Sequence, residues 1–257
     1  MELRILKPKN IPDRFDSYAF LKFYDEEKYV DSLRSGILYM RSKEVFSNIE
    51  KVGIGDFLEN KAIVAQPTEQ KKPEIKFQEI NGQMFVLLSE TDKVGKDDNS
   101  VFMLHDRNAK RNKIFCLYTL WYDNKTGEIF NLDESMNKDF GEYCCFIYRP
   151  NEFLNRVCQD EVQQYNQVKN ITIGFVEYYD TSITAVHDWH PFRKDANIYA
   201  HQNEFRLMVL TEDDRDELFY DMKNSNLIDI SIKTTFDYIL SSFKAENDYI
   251  YLEYISD

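Results

Sequence analysis

The sequence is poor in glycine and proline, and its four cysteines form no C-x-x-C pair. Only 8 Gly and 6 Pro occur among 257 residues, which excludes a collagen-like or low-complexity chain. The cysteines are Cys116, Cys144, Cys145 and Cys158, and each lies in or beside an apolar stretch. Adjacent cysteines rarely bridge each other, so we expect reduced core residues in a cytoplasmic protein rather than a disulfide framework.

Long apolar runs are also missing. No stretch approaches the roughly 20 apolar residues of a membrane-spanning helix. The polar segment Lys7-Pro8-Lys9-Asn10 interrupts the apolar start that a signal peptide would need, so we expect neither secretion nor a membrane partner. Large aromatic side chains offset the modest hydrophobic content of 43%, because 19 Phe, 17 Tyr and 2 Trp supply the apolar area for a sizeable core.

Positive charge is scarce in the second half of the chain. Residues 1–120 carry 20 basic and 19 acidic side chains, whereas residues 121–257 carry 12 basic and 26 acidic ones, a net charge of −14. Such a surface repels phosphates, so direct nucleic-acid binding is disfavoured. The simplest interpretation is solubility. Binding to a basic partner, or mimicry of a nucleic acid, remains an open alternative.

Short apolar segments separated by turn residues predict a single α+β domain over residues 1–257, with mainly antiparallel sheets and short helices. Strands are predicted at residues 20–23, 37–40, 83–89, 114–121, 143–148, 171–179, 203–210 and 249–254. Helices are predicted at 25–35 with Gly36 as the cap, after Ser42 through Phe46, from Pro150 onward and at 213–222. The polar segment 66–80, which contains Pro67 and Pro73, is predicted to lie on the surface.

Most motifs of known enzyme classes are missing. No Gly-rich phosphate loop follows a predicted strand, and there is no G-x-S-x-G elbow. His187 and His190 lie three residues apart but have no third ligand at a fixed spacing, so no metal is expected. The cysteines are predicted to be buried, which argues against a thiol enzyme. Asp56 and Glu59 suit a cation site or acid–base chemistry, although such clusters more often cap a turn.

The most distinctive segment is Gln202-Asn203-Glu204-Phe205-Arg206, which begins an apolar strand. Strand side chains repeat every two residues, so Gln202, Glu204 and Arg206 are predicted to share one face. Glu204 either pairs with Arg206 and fixes a sheet edge, or lies in a cleft where it binds a hydroxyl or stabilises a cationic transition state. The segment itself leaves both interpretations open.

An ordered set of short matches extends this segment over residues 18–210. The matches are Lys22-Phe23, Gly36 to Met40, Phe46-Ser47-Asn48 with Asp56 and Glu59, Phe115 to Tyr118, Phe140 to Tyr143, Glu152 to Arg156, Val176 to Tyr179, Pro191 to Lys194 and Gln202 to Arg206. This order resembles a widespread family of uncharacterised bacterial and phage proteins, marked by an early F-x-N…D-x-x-E segment and a late K…[QE]-x-E-x-R segment. Its layout is in turn similar to that of ADP-ribosyltransferases.

The resemblance to ADP-ribosyltransferases implies NAD as the cofactor. Glu204 would be the catalytic glutamate, with Gln202 as its substrate-selecting neighbour. Tyr118, stacked on the nicotinamide, or Thr119 would take the middle position. The early position holds Lys22 where those enzymes have His or Arg, and lysine lacks their forked donors. The catalytic candidates are Glu204, Gln202 and Tyr118, and the cofactor-binding candidates are Lys22, Thr119 and Arg206.

Two functions follow from this resemblance. The first is an ADP-ribosyltransferase-like enzyme that uses NAD in the conflict between bacteria and phages, as toxin, defence effector or counter-defence protein. The second is a non-catalytic phage or mobile-element protein that inhibits a host defence complex through its acidic half and its tyrosines. In both cases the partner is a host or phage protein, and a homo-oligomer is left open. A cleft that gathers Lys22, Tyr118 and Glu204 and is large enough for a dinucleotide would favour the enzyme. A Glu204 held by Arg206 in a cleft filled by Phe and Tyr side chains would favour the inhibitor.

Overall fold

The computed structural model describes residues 7–49, 61–64, 72–80, 83–91, 102–105, 108–130, 132–164, 168–179, 186–187, 192–222, 225–246 and 249–252. The strands are β1 (Ser17–Tyr24), β2 (Ile37–Ser42), β3 (Lys61–Val64), β4 (Lys72–Ile80), β5 (Gln83–Thr91), β6 (Phe102–His105), β7 (Asn112–Tyr122), β8 (Ile129–Phe130), β9 (Tyr143–Ile147), β10 (Val168–Phe175), β11 (Glu177–Tyr179), β12 (Val186–His187), β13 (Arg193–Asp195), β14 (Glu204–Thr211), β15 (Glu217–Asp221), β16 (Ser231–Thr235), β17 (Phe243–Glu246) and β18 (Tyr249–Leu252). The helices are α1 (Glu27–Arg34), α2 (Lys43–Asn48), α3 (Ser135–Phe140), α4 (Pro150–Gln164), α5 (Ala196–Tyr199) and α6 (Phe236–Ser242), with 3-10 turns at Ala200–Gln202 and Ile228–Ile230. None of the helices within these ranges has both the length and the apolarity of a membrane span.

A nine-stranded sheet organises the fold. Six strands follow the order β10-β14-β7-β1-β9-β16, while β2 joins β7 to β15 and β8 pairs with β7. Every pairing in this sheet is antiparallel. Smaller sheets are formed by β4 with β5, by β12, β3 and β6, by β17 with β18, and by the parallel pair β11 and β13. The predicted α+β fold, with mainly antiparallel sheets and short helices, is therefore confirmed.

The central sheet buries apolar side chains on both of its faces. The first core, which includes α1 and α4 residues, contains Phe20, Leu33, Leu117, Phe153 and Phe205. The second core, which includes α3 and α6 residues, contains Leu21, Tyr118, Met136, Phe146 and Phe236. Because the side chains of β1 and β7 alternate between these cores, both strands are apolar at nearly every position and show no polar face.

Three predicted helix boundaries are confirmed. Helix α1 ends just before Gly36, whose φ of 101° is a backbone conformation that residues with a Cβ rarely adopt. The Ser42 hydroxyl accepts a hydrogen bond of 3.3 Å from the N–H of Val45 and so caps α2. Helix α4 begins at Pro150, and its apolar residues Phe153, Leu154 and Val157 are fully buried.

The prediction of a helix over residues 213–222 is wrong, because this segment contains strand β15. Leu218, Tyr220 and Met222 are buried at a spacing of two residues, which is the period of a strand. β15 pairs with β2, and the register places Leu218 opposite Met40. The acidic residues before the strand resemble the start of a helix, but the pairing with a distant strand decides the structure.

Two other predicted segments also differ in the structure. The strand predicted at 171–179 is divided at Val176, because β10 pairs with β14 whereas β11 pairs with β13. In the polar segment 66–80, residues 72–80 form β4, which pairs with β5 in a hairpin. Its surface position stays a prediction, since the side chains of these strands lie outside the described part of the structure.

Candidate functional site

The central sheet splits beside β7, and this split creates a cleft. On one edge of β7, residues 112–118 pair with β14. On the other edge, β1 pairs with residues 118–122 and β2 with residues 113–114, so residues 115–117 pair with β14 only. The diverging strands β1 and β2 leave a cleft of about 240 Å³. The site is therefore built where two strands leave the same edge of a third.

Glu204 is the centre of a buried ionic cluster at this cleft. Arg206 donates to its carboxylate through Nε at 2.6 Å and through Nη2 at 3.3 Å. The Lys194 ammonium lies 2.9 Å from Glu204 Oε2 and 3.1 Å from Gln202 Oε1. All four side chains are buried, with at most 4% of each residue exposed. The predicted pairing of Glu204 with Arg206 is confirmed, and a second cation joins it.

Short-range backbone geometry brings Gln202 and Glu204 to the same lysine. Gln202 lies in a 3-10 turn rather than in the extended strand that the sequence predicts. Asn203 then adopts the left-handed conformation (φ 38°, ψ 48°), and β14 begins at Glu204. The N–H of Glu204 donates to the Tyr178 hydroxyl at 2.9 Å. The reversal at Asn203, not a shared strand face, lets Gln202 and Glu204 converge on Lys194.

The carboxylate of Glu204 is held in its charged form. Burial alone would raise the pKa of Glu204, but the positive charges of Arg206 and Lys194 outweigh burial and hold the pKa well below its ordinary value. A carboxylate in this cluster stays ionised throughout the neutral range. In this form it can accept hydrogen bonds but has no proton to donate, which disfavours a role as general acid.

Lys22 extends into the split between β1 and β2. Its ammonium donates to the carbonyl of Cys116 at 2.9 Å and lies 4.9 Å from the centre of the Phe115 ring. Among the described residues, no carboxylate lies within ion-pairing distance of Lys22. Burial lowers the pKa of Lys22, and the nearby negative charge of Glu204 opposes this only in part. Burial thus disfavours the charged form of Lys22, and a further anionic neighbour would stabilise that form.

Tyr118 forms the wall of the cleft beside Glu204, its partner across the strands. The Asn203 amide donates to the Tyr118 hydroxyl at 3.3 Å. Burial raises the pKa of Tyr118 to about 12, so its hydroxyl stays protonated. The ring is therefore a neutral, partly polar surface for a planar group.

The cleft as a whole is cationic and aromatic. Four cationic side chains line it, and Glu204 is the one carboxylate among its described lining residues. The cations are Lys22, Arg41, Lys194 and Arg206, and the rings are Phe23, Tyr24, Tyr39, Phe46, Tyr118 and Phe140. This excess of positive charge contrasts with the net charge of −13 of the chain.

Five of the six predicted site residues line the cleft, and Thr119 does not. Side chains alternate along β7, so Thr119 faces away from Tyr118, and its buried hydroxyl has no hydrogen-bond partner among the described residues. The sequence interpretation missed Lys194 and Arg41 as site residues. Lys194 lies in the quoted segment before Gln202, whereas no local signal singles out Arg41.

The expectation that all four cysteines are buried is wrong for two of them. Cys144 and Cys145 are buried, but Cys116 and Cys158 are partly exposed, and Cys116 lines the cleft. Burial nevertheless raises the pKa of Cys116 to about 12, which keeps the thiol protonated and poorly nucleophilic.

The described part of the chain contains no group of three or more His, Cys, Asp or Glu side chains that could hold a metal ion. Asp56, Glu59 and His190 lie outside the described residues, and His187 is described in its backbone only. The predictions about these four residues stay untested.

Comparisons with known proteins give no relative. No family model matches the chain, and neither the curated proteins nor the solved structures provide a match. The resemblance to ADP-ribosyltransferases therefore stays a prediction, and the function must be argued from the cleft itself.

Proposed function

We propose that the cleft binds a nucleotide, with NAD as the first candidate, and that the protein acts on NAD as an ADP-ribosyltransferase-like enzyme of the cytoplasm. One observation carries the proposal: the split of the sheet gathers Lys22, Tyr118 and Glu204 in one cationic, ring-lined cleft.

The positive charge of the cleft favours the binding of an anion. Among the described residues, Glu204 is the carboxylate that both Arg206 and Lys194 contact. Lys22 adds a third cation, without a carboxylate in contact among the described residues. Buried charges without counter-ions are costly, and a bound phosphate would offset this cost. Lysine ammonium groups bind phosphate as point charges, which suits a nucleotide.

The rings of the cleft suit the planar part of a nucleotide. Tyr118 and Phe140 line the wall near Glu204, and both are buried or half-buried. Stacking of a base on an aromatic side chain is worth about 1–3 kcal/mol. A ligand with a ring and a phosphate therefore matches both chemical features of the cleft.

Glu204 is the residue to which we assign catalysis. Its carboxylate lines the cleft and is contacted by Arg206 and Lys194. The negative charge would stabilise an oxocarbenium-like transition state of a ribose bound in the cleft. Because two cations offset that charge, we expect tight binding with slow turnover.

The second candidate is a non-catalytic protein that binds a host or phage protein in the same conflict. Its specific support is the ionic cluster, since both oxygens of Glu204 are occupied by Arg206 and Lys194. In this case the carboxylate holds β14 and β13 together, and a nucleotide in the cleft would serve as a signal rather than as a substrate.

The test is calorimetric titration of the purified chain with NAD, together with an assay for released nicotinamide. Lys22→Gln removes the cation from the cleft, and Lys28→Gln is the matched control because the Lys28 side chain is 64% exposed on α1. Losing a charged hydrogen bond costs about 1.5–3 kcal/mol, so Lys22→Gln should weaken NAD binding about tenfold or more. The control should bind NAD as the wild type does.

Each outcome separates the candidates. Binding with release of nicotinamide supports the enzyme, whereas binding without release favours the non-catalytic protein. If the wild type binds no NAD, or if both variants bind it equally well, the nucleotide proposal is wrong.

A further inference from the structure

The mouth of the cleft continues onto a solvent-exposed part of the sheet. Tyr39 and Arg41 of β2 line the cleft, and both belong to the pairing of β2 with β15. The register places Tyr39 opposite Phe219 and Arg41 opposite Glu217. Cross-strand partners on one face contact each other, so Phe219 and Glu217 extend the wall of the cleft onto the outer surface.

Phe219 is the most exposed large hydrophobic residue of the described chain, at 62%. Its ring lies 5.0 Å from the ring of Tyr39, with an angle of 38° between their planes. Together these two side chains form an aromatic shelf, the Tyr39–Phe219 shelf. The burial of Leu218 and Tyr220 on the inner face already explains the strand, so folding does not require a large ring at position 219.

The cleft alone is too small for a dinucleotide. Its volume is about 240 Å³, whereas pockets that enclose a drug-sized ligand measure about 300–1,000 Å³. A dinucleotide such as NAD is larger than such a ligand. If one nucleotide half occupies the cleft, the other half must lie outside it, on a surface that continues the wall.

The register of the strands sets the direction of that surface. Arg41 is paired with Ile114, whereas Glu204 is paired with Tyr118, four residues further along β7. At a rise of about 3.3 Å per residue, these two levels lie about 13 Å apart along the strand. Arg41 thus lies at the end of the cleft away from Glu204, next to the Tyr39–Phe219 shelf.

We infer that the Tyr39–Phe219 shelf binds the second base of a dinucleotide, and that Arg41 faces the phosphates that join the two halves. This inference rests on the proposed function, and it assigns the surface that holds the half of NAD lying outside the cleft. The exposed Phe219 ring beside the half-buried Tyr39 ring can stack with any base. The guanidinium of Arg41, 42% exposed, is accessible to phosphate.

The polar contacts of Arg41 leave it available for such a role. Its Nε donates to the Tyr39 hydroxyl oxygen at 2.9 Å, and Nη2 lies 4.0 Å from the carboxylate of Glu217. The Tyr39 hydroxyl donates in turn to Glu217. Glu217 is half exposed, at 50% of its side chain, so water screens its charge and the ion pair with Arg41 is weak.

The experiment compares a dinucleotide with one half of it. Wild type and Phe219→Ser are titrated with NAD and with nicotinamide mononucleotide. Ile228→Ser is the matched control, because Ile228 is also a highly exposed apolar residue, at 58%, but does not line the cleft. Phe219→Ser should weaken NAD binding about tenfold and change the affinity for the mononucleotide less than twofold. Ile228→Ser should change neither affinity.

The charge of Arg41 gives a second readout. Arg41→Gln removes one cation that faces phosphate, so NAD binding should weaken and should also depend less on salt concentration than in the wild type. Circular dichroism and thermal unfolding of the variants confirm that the fold is retained.

The outcomes distinguish the shelf from the proposed function. If wild type binds both ligands and Phe219→Ser weakens both equally or neither, the shelf inference is overturned while the nucleotide cleft stands. If wild type binds neither ligand, the proposed function fails, and the shelf inference fails with it.

Discussion

At the scale of single residues, Glu204 shows how a charged group is retained in a protein interior. Its carboxylate lines the cleft and is contacted by Arg206 and Lys194, while its backbone N–H donates to the hydroxyl of Tyr178. Such clusters often contribute little net stability, because desolvation offsets the attraction. Their disruption is costly nevertheless, since it leaves buried charges without partners.

Glu204→Gln should therefore lower the free energy of unfolding by about 3–5 kcal/mol, because Arg206 and Lys194 would be left as uncompensated buried charges. Urea denaturation measures this loss. The surface control is Glu152→Gln, which breaks the exposed pair with Arg156 and should cost about 0.3–0.5 kcal/mol.

A double variant tests whether Glu204 and Arg206 are coupled. A double variant with Arg206→Met should recover part of the loss, and additive losses would contradict the coupling of the two residues.

The folded pKa of Glu204 is depressed. The contribution of Glu204 to the free energy of unfolding is therefore fully present above about pH 5 and is lost only as the pH falls toward the lowered pKa.

At the scale of elements, the site depends on the tight turn that follows α3 and contacts the end of β1. Gly141 follows the last residue of α3, Phe140, and has a φ of 104°. A Cβ at this position would lie 2.3 Å from the carbonyl carbon and oxygen of Tyr24, at the end of β1. Relief of this clash would displace the backbone of Tyr24 and would therefore shift β1, which carries Lys22.

We expect Gly141→Ala to destabilise the protein by about 3 kcal/mol or more, from the unfavourable backbone conformation and the steric clash together. Gly174→Ala is the control, because its Cβ would meet only the Phe192 ring at an ordinary 3.5 Å. That change should leave stability unchanged or raise it by up to about 1 kcal/mol. Thermal unfolding measures the stability of both variants. Equal stability of the two would show that the clash at Gly141 is relieved.

At the scale of the whole molecule, the aromatic and cysteine-containing core sets the response to alkaline pH. Burial raises the pKa of Tyr18 and Tyr118 to about 12, and it does the same for the thiols of Cys116 and Cys145. In the unfolded chain these groups lose their protons at their ordinary pKa values, roughly 8.5 for thiols and 10 for tyrosines. Between these ordinary pKa values and about pH 12, these groups therefore keep their protons in the folded state and lose them in the unfolded state.

The contribution of these groups to the free energy of unfolding should therefore be constant below about pH 8. It should fall as the pH rises toward 12, by about 1.4 kcal/mol per pH unit for each group that titrates. Urea denaturation between pH 8 and pH 11 measures this slope. Tyr118→Phe removes one of the groups, so its slope above pH 10 should be shallower by about 1.4 kcal/mol per unit. An unchanged slope in this variant would mean that Tyr118 is not protected from ionisation in the folded state.

Features that depend on local interactions could be predicted from the sequence. Gly36, Ser42 and Pro150 mark helix boundaries through their own backbone or side-chain geometry, and all three boundaries were predicted. The pairing of Glu204 with Arg206 was also predictable, because side chains two residues apart share one face of a strand. The α+β class followed in the same way from the length and spacing of the apolar segments.

Contacts between residues of different strands depend on the tertiary structure. Lys194 contacts Glu204 although β13 and β14 belong to different sheets. Arg41 reaches the cleft because β2 pairs with β7. The strand β15 forms for a similar reason, since its partner β2 lies about 180 residues earlier in the chain. Local propensity carries no information about such partners, and the cleft exists only because β1 and β2 diverge from one edge of β7.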